Sequence, residues 1–461
     1  MLRLAFCGET ERSSDMKIWL LLTFAVLMSA AAASAATAAK TDKPGSGLSA
    51  QVALDWNANA IAAIRAATTL DGQPAGAAAR SFYQSEGNIY MAYVQAAVYD
   101  AVRKIAHRYE PYHHISVGAG NASAEAATVS AAYNTLTFYL GDADGSLAAK
   151  YAASIAALPS DKSTERGIAV GQVAASDIEA LRAFDGRNAA TAAYGVPGPV
   201  VAGAWQVVPP FAVAQTPWIA FMQPFLIDSP SQFRAPAPPA LTSAEYAADL
   251  NETARMGSST APTSVRSPTQ TAVAIFWTGS AIAQQNQGYR DEAVKNSMDL
   301  VDAVRLLAMG GLTTADASIA CFDSKYHYLR WRPYTAIRNA DIDGNAATAA
   351  DPQWAPLLPT PNHPEYPSAH GCATSASTDS IAEALGTDAI DLTEVGASTI
   401  GGPNNATQHF ATVGDLQNQL LDARVWGGLH YRTSDVNGEV LGNSLAHWVF
   451  QRYFRPVSDG D

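Results

Sequence analysis

Cysteine is scarce in this chain, and so is charge. Three cysteines occur in 461 residues. Cys7 falls in a leader segment, which leaves Cys321 and Cys372, each a few residues from a motif discussed below. They are open to pairing in an oxidising compartment, or to standing as two separate buried thiols. Charged residues make up 15% of the chain against 48% hydrophobic, which excludes a disordered polypeptide and leaves ample material for a large core. Basic residues are the scarcer sign: 29 against 42 acidic, for a formal net charge of −13. That balance argues against broad nucleic-acid binding and against docking on anionic lipid, so any anion site must be a local basic pocket. Long apolar runs are also few. Ile18 to Met28 is one, but it is short for a membrane span, and no other stretch reaches a spanning length. Alternating strand patterns of useful length and fixed-period repeats are missing as well.

What is present is helical periodicity. At the N-terminus, Met16-Lys17 followed by the apolar run and Ala33-Ser34-Ala35 reads as an export signal over residues 1–36, with Met16 a candidate start. The mature chain is then expected to be secreted or periplasmic, with no membrane span after signal removal. Residues 52–67 and 88–105 carry apolar side chains at helical spacing, and Pro111 ends the second pattern. Ala-rich helical segments follow at about 122–140, 145–157 and 163–183. His107, His113 and His114 read as surface or cap residues. From Tyr194 to Ala240 prolines break any helix, yet Trp205, Phe211, Trp218, Phe221 and Phe225 lie among them, which predicts an ordered strap. Thr242 to Glu245 and Ser267 to Gln270 read as capping boxes, and residues 296–309 and 315–328 as two further helices. The expected fold is all-α: an N-terminal helical half (37–193), a Pro-rich connector (194–240) and a C-terminal catalytic half (241–461).

Three stretches in the last half hold the chemistry. Lys325 and Arg332 are seven apart, which on one helix places both heads on a common face. Ser368-Ala369-His370-Gly371 follows a Pro/His-rich loop and opens a helical run. Read alone it is an N-cap; it also offers a hydroxyl and free amides to an anion, with His370 as a candidate acid/base. Arg424 and His430 are six apart, and Gly427-Gly428 between them permits a kink that turns both inward. A neutral His430 can be a nucleophile toward phosphorus or a ligand to a metal oxyanion, with Asp422 and Asp435 as candidates for its other ring nitrogen.

These stretches, KYHYLRWRP, HPEYPSAHG and ARVWGGLHYR, resemble in order the three-part signature shared by vanadium-dependent haloperoxidases and type 2 phosphatidic-acid-phosphatase-like acid phosphatases. MAYVQAAVYDAVRKI, RYEPY and ALTSAEYAADLNE extend the resemblance to the bacterial secreted branch of that superfamily. It implies an all-helical bundle holding vanadate, or phosphate in the same site. Lys325, Arg332 and Arg424 would neutralise oxygens, and Ser368 with the Ala369 amide would hydrogen-bond one. His430 would be the axial partner and His370 the acid/base. It further implies vanadate-bound hydrogen peroxide oxidising a halide, or else a phosphate ester cleaved through phosphohistidine. His363 resembles a histidine of algal bromoperoxidases where the fungal chloroperoxidase has phenylalanine, which favours bromide; Phe322 lines the same region. Three positions depart from the signature: Ala369 stands for Gly, Ala423 for Ser, and Ser434 for the acid four after the axial His. With Ala369 and Ala423 changed, a non-catalytic anion binder is a third reading.

Overall fold

The computed structural model describes residues 47–67, 84–196, 198–260, 264–396 and 406–457. The expected leader, Cys7 and Pro197 lie outside them. The organising element is α9, Leu300–Tyr328, which is 29 residues long, or about 43 Å. Asp299 caps its start by accepting from the Asp302 amide. From Leu300 to Cys321 its side chains are buried almost without interruption, because other helices surround it on every side. The expected break between residues 309 and 315 does not occur. Gly310 and Gly311 are places of close approach: a Cβ on Gly310 would stand 2.3 Å from the Tyr289 ring.

The N-terminal half supplies α1 (Gln51–Ala66), α2 (Gln84–Ala106), α3 (Ala124–Leu140), α4 (Ser146–Ala156) and α5 (Lys162–Leu181). These match the periodic segments to within a few residues. Helices α3 and α5 touch closely because Gly167 and Gly171 face the backbone of Ser123 and Ala127. His107, His113 and His114 lie in the connection after α2, and no metal-holding cluster of His, Cys, Asp or Glu occurs among the described residues.

The strap is ordered. The Trp205 amide donates to Leu329 O and the Gln215 amide to Asn362 O, each at 2.7 Å. Trp205, Trp218 and Phe225 are buried, whereas Phe211 and Phe221 face solvent. The backbone N–H groups of Phe225, Leu226 and Ile227 all donate to the buried Asp316 carboxylate of α9, at 2.7, 2.7 and 3.0 Å.

The C-terminal half adds α6 (Ala244–Met256), α7 (Pro268–Phe276), α8 (Ala281–Lys295), α10 (Pro333–Arg338), α11 (Ala369–Leu385), α12 (Val413–Trp426) and α13 (Arg432–Phe450). The Ser267/Gln270 capping box forms as expected; before α6 the cap is Ser243, one residue later than Thr242. Helix α8 was not foreseen, since Gln284, Gln285 and Asn286 stand on its buried side where an apolar stripe would be expected. A short antiparallel hairpin also forms, β1 (Ala389–Val395) with β2 (Thr407–Thr412), and its alternation is clear only in β1. The fold is nonetheless all-α. One continuous buried cluster runs from Ala53 in α1 to Phe454 after α13, so both halves share a core. Cys321 and Cys372 are buried and free. Among the described residues no helix is long and apolar enough to cross a membrane.

Candidate active site

Lys325 and Arg332 reach the centre by a different route from the one their spacing suggests. Helix α9 stops at Tyr328 because Leu329 adopts a left-handed conformation (φ 49°), and Arg332 is the extended N-cap of α10. Both side chains are nevertheless fully buried. The Lys325 amine donates to the carbonyls of Pro364 and Glu365 at 3.0 Å each, and to that of Pro367. Arg332 donates from Nε to His363 O and from one terminal nitrogen to Leu429 O, both at 2.9 Å. Its two terminal nitrogens also stand 3.1 Å from His430 Nε2 and 2.9 Å from His363 Nδ1.

Ser368 is the N-cap of α11, with its hydroxyl 3.5 Å from the Gly371 amide. The amides of Ala369 and His370 open the helix, where no intrahelical carbonyl is available to them. Gly371 is required here: its Cβ would lie 2.8 Å from the Asp435 carbonyl of α13. Arg424 sits in the last turn of α12 and His430 in the turn before α13. Gly427-Gly428 is therefore a chain reversal between two helices, not a kink within one. Gly428 has φ 74°, and its Cβ would meet Gly257 O at 2.7 Å, so glycine is needed on both counts.

Neither aspartate expected beside His430 is its partner. Asp422 pairs with Arg432 at 2.6 Å, and Asp435 lies beside Ser368 and Arg424. The Nδ1 of His430 is instead 3.0 Å from Oε1 of Glu365, with both side chains essentially without exposure. Glu365 was missed. Its signal was present: a lone acid inside the HPEYPSAHG stretch, in a chain whose third motif lacks the expected acid.

A cavity of about 210 Å³ opens at this point. His363, Ala369, His370, Arg424 and His430 line it, together with Asn88 of α2, Gln215 of the strap and Thr374 of α11. Lys325, Arg332, Ser368 and Phe322 stand a layer behind, the Phe322 ring 5.5 Å from that of His363. The participation of α2 and the strap carried no recognisable motif. Two buried nitrogens of cavity-lining residues, Arg424 Nε and His370 Nε2, have no hydrogen-bond partner among the described residues, which leaves both available to a ligand.

The electrostatics follow from burial. Desolvation, assisted by neighbouring cations, holds His363, His370 and His430 well below the usual imidazole range, so all three are neutral near pH 7. Burial lowers Arg332 and Arg424 only to about 10, so both stay charged. Burial pushes Asp435 up, against the pull of Ser368 and Arg424, and Glu365 up, against Arg332 and Lys325. The cavity thus combines a positive field, neutral imidazoles and unpartnered nitrogens. A tetrahedral oxyanion satisfies all of these at once.

Residues 305–459 match the family model described as the VCPO second helical-bundle domain. Among solved structures, the chain is similar to a bacterial vanadium-dependent iodoperoxidase, at 21% identity over 89% of this chain and 97% of that one, with a TM-score of 0.71. It is also similar to a bacterial vanadium-dependent chloroperoxidase in its holo form, at 20% identity, 84% and 97% coverage and a TM-score of 0.65. The apo form of a bacterial vanadium-dependent chloroperoxidase gives 20%, 80% and 93%, and again 0.65. No curated protein matches the sequence. Residues 305–459 thus match the second helical-bundle domain of that family model, and the chain as a whole shares the helical fold of bacterial vanadium-dependent haloperoxidases.

Proposed function

We propose that this protein is a vanadium-dependent haloperoxidase that uses hydrogen peroxide to oxidise halide, with bromide preferred. The observation that carries the reading is the convergence of Arg424, His370, His430 and the first residues of α11 on one cavity, with Arg424 Nε and His370 Nε2 unpartnered. That donor set suits vanadate, whose oxygens call for cations and N–H groups and whose metal calls for one neutral nitrogen ligand. Vanadate, when bound, supplies activation of hydrogen peroxide toward a two-electron oxidation of halide.

The remaining work falls to the chain. His430 would hold the vanadium through Nε2, and Arg424 would donate its unpartnered Nε–H to a vanadate oxygen. Arg332 and Lys325 contribute charge from behind the wall. The amides of Ala369 and His370 donate at the helix start, where the dipole favours an anion. Ala369 keeps the backbone donor of the glycine it replaces, while Ala423 is fully buried and supplies no hydroxyl. His370, neutral and with Nε2 unpartnered, would be the group to exchange protons with a bound ligand. His363 lines the same cavity, its ring against Phe322, and is the halide-site candidate. Secretion or export to the periplasm, with a leader over residues 1–36, belongs to the same reading.

The test uses the purified full chain with and without vanadate. Vanadate-dependent oxidation of bromide by hydrogen peroxide, with little hydrolysis of an aryl phosphate, is the expected result. Aryl phosphate hydrolysis that vanadate inhibits, without halide oxidation, would overturn it in favour of an acid phosphatase acting through His430.

A further inference from the structure

We propose that Glu365, supplied by the loop before the Ser368 motif, is the positioning residue that fixes the tautomer and ring orientation of His430. The position expected to do this, four residues after the histidine, is occupied by Ser434. The tautomer claim stands on the geometry alone; its consequence for vanadate rests on the function proposed above.

Two contacts on opposite sides of the ring demand the same tautomer. Glu365 Oε1 is 3.0 Å from His430 Nδ1 and also accepts the Tyr431 amide at 3.1 Å, so that oxygen is an acceptor. A carboxyl carrying its proton on the other oxygen would leave Oε1 in the same role. Hence Nδ1 must bear the hydrogen. On the far side, a terminal nitrogen of Arg332 lies 3.1 Å from Nε2, and a guanidinium can only donate. Hence Nε2 must hold the lone pair. The ring is thereby set with its basic nitrogen bare, as a metal ligand or nucleophile requires.

The alternatives fail on distance or direction. Ser434 Oγ is 3.5 Å from Nδ1, at the limit of a hydrogen bond, and has Glu365 O as a second acceptor at 3.4 Å. Asp435, one residue further along α13, lies beside Ser368 and Arg424. The loop that delivers Glu365 is itself fixed. Its amide donates to Arg330 O at 2.9 Å, and Lys325 holds the carbonyls on either side. Lys325 is accordingly a strut for this loop as well as a source of charge. The first motif holds the loop, the loop holds the carboxylate, and the carboxylate holds the histidine of the third motif.

The experiment is a long-range proton–nitrogen correlation on the histidine-labelled full chain without vanadate, with His430 assigned by loss of its signal in His430→Gln. We expect a protonated Nδ1 and a bare Nε2. Glu365→Gln, whose amide oxygen can still accept, should keep that pattern. Glu365→Ala leaves Arg332 as the sole group selecting the tautomer, so a second, Nε2-protonated form should appear beside the first. Vanadate titration should then show a loss of about 10- to 100-fold for the alanine variant and a smaller one for glutamine. A protonated Nε2 in the unsubstituted protein overturns the proposal. So does a folded Glu365→Ala that keeps both the tautomer and vanadate affinity within about twofold. If the alanine variant does not fold, the signal of the unsubstituted protein and of Glu365→Gln still decides. None of these spectra uses turnover, so a chain that fails to oxidise halide could still confirm the role of Glu365.

Discussion

Helix α9 buries two ions nine residues apart and satisfies them in opposite ways. Asp316, in its middle, accepts three backbone N–H groups from residues 225–227 of the strap. Lys325, near its end, donates to three backbone carbonyls of the loop 364–367. Each is fully buried, and each pins an irregular segment that no helix or sheet could hold. The difference is in what lies beyond. Around Asp316 the donors and the charge are consumed locally, so the contact is architectural. Around Lys325 the surplus continues outward through Arg332 to Arg424, whose Nε is still unspent at the cavity. The same device serves folding in one place and a ligand in the other.

Breaking the first pin gives the largest expected effect. Asp316→Ala leaves three buried amides without acceptors, at about 1–3 kcal/mol each. Denaturant unfolding should therefore show a loss of at least about 3 kcal/mol. Any protein that remains folded should bind vanadate or phosphate as before. A loss of anion affinity in the folded fraction would show that the strap and the site are coupled, against the separation drawn above. Lys325→Met should do less to stability, because removing the ammonium also removes its desolvation cost. It should, however, weaken anion affinity together with stability, by about 1–2 kcal/mol each, since a loop anchor and a cation are lost at once. Titration calorimetry beside an unfolding curve separates the two quantities. If only one of them moves, Lys325 has a single role.

How far this contrast could be read in advance depended on the range of the interaction. The three motifs and most helices were legible, because caps, prolines and apolar spacing act over a few residues. That Ala369, His370, Arg424 and His430 belong to motifs worth following was legible for the same reason, each motif being contiguous; the structure brings these four to one cavity. Three things were not. The registry of Lys325 and Arg332 failed because Leu329 takes a left-handed conformation that its side chain does not advertise. The continuity of α9 across residues 310–314 was not legible, since the close approach of Gly310 to Tyr289 is visible only once α8 is in place, and α8 itself lacks an apolar stripe. Asp316 and Glu365 were unremarkable acids in sequence; their partners come from segments brought in by the fold.

Arg424→Ala isolates what lies beyond the pins. Arg424 makes one long bond, to Trp277 O at 3.3 Å, so little architecture depends on it. Anion affinity should fall by about 1.5–3 kcal/mol, the range for a charge-assisted contact. Thermal stability should be unchanged or improved when measured without ligand, because an under-satisfied buried cation has been removed. Arg332→Ala should differ: its guanidinium holds His363 O and Leu429 O, so stability and affinity should fall together. Equal stability losses in the two variants would remove the distinction between a structural and a ligand-facing arginine.

The smallest effect is expected at His363, where the two roles meet in one side chain. Its ring accepts from Arg332 at 2.9 Å and lines the cavity beside Phe322. Burial and the adjacent cations keep it neutral, so it offers a halide a polar edge without a charge. His363→Phe keeps the ring volume and removes the acceptor. One Arg332 donor is then released toward the cavity, which should strengthen the field on a small, hard anion relative to a larger, softer one. The ratio of chloride to bromide oxidation should rise by a few-fold, an effect of under about 1 kcal/mol in differential barrier. Anion affinity should hold within the same margin, since no direct contact is lost. Competition assays with both halides in one mixture read the ratio without reference to absolute rates. An unchanged ratio would place the halide elsewhere along the cavity, toward Asn88 and Gln215.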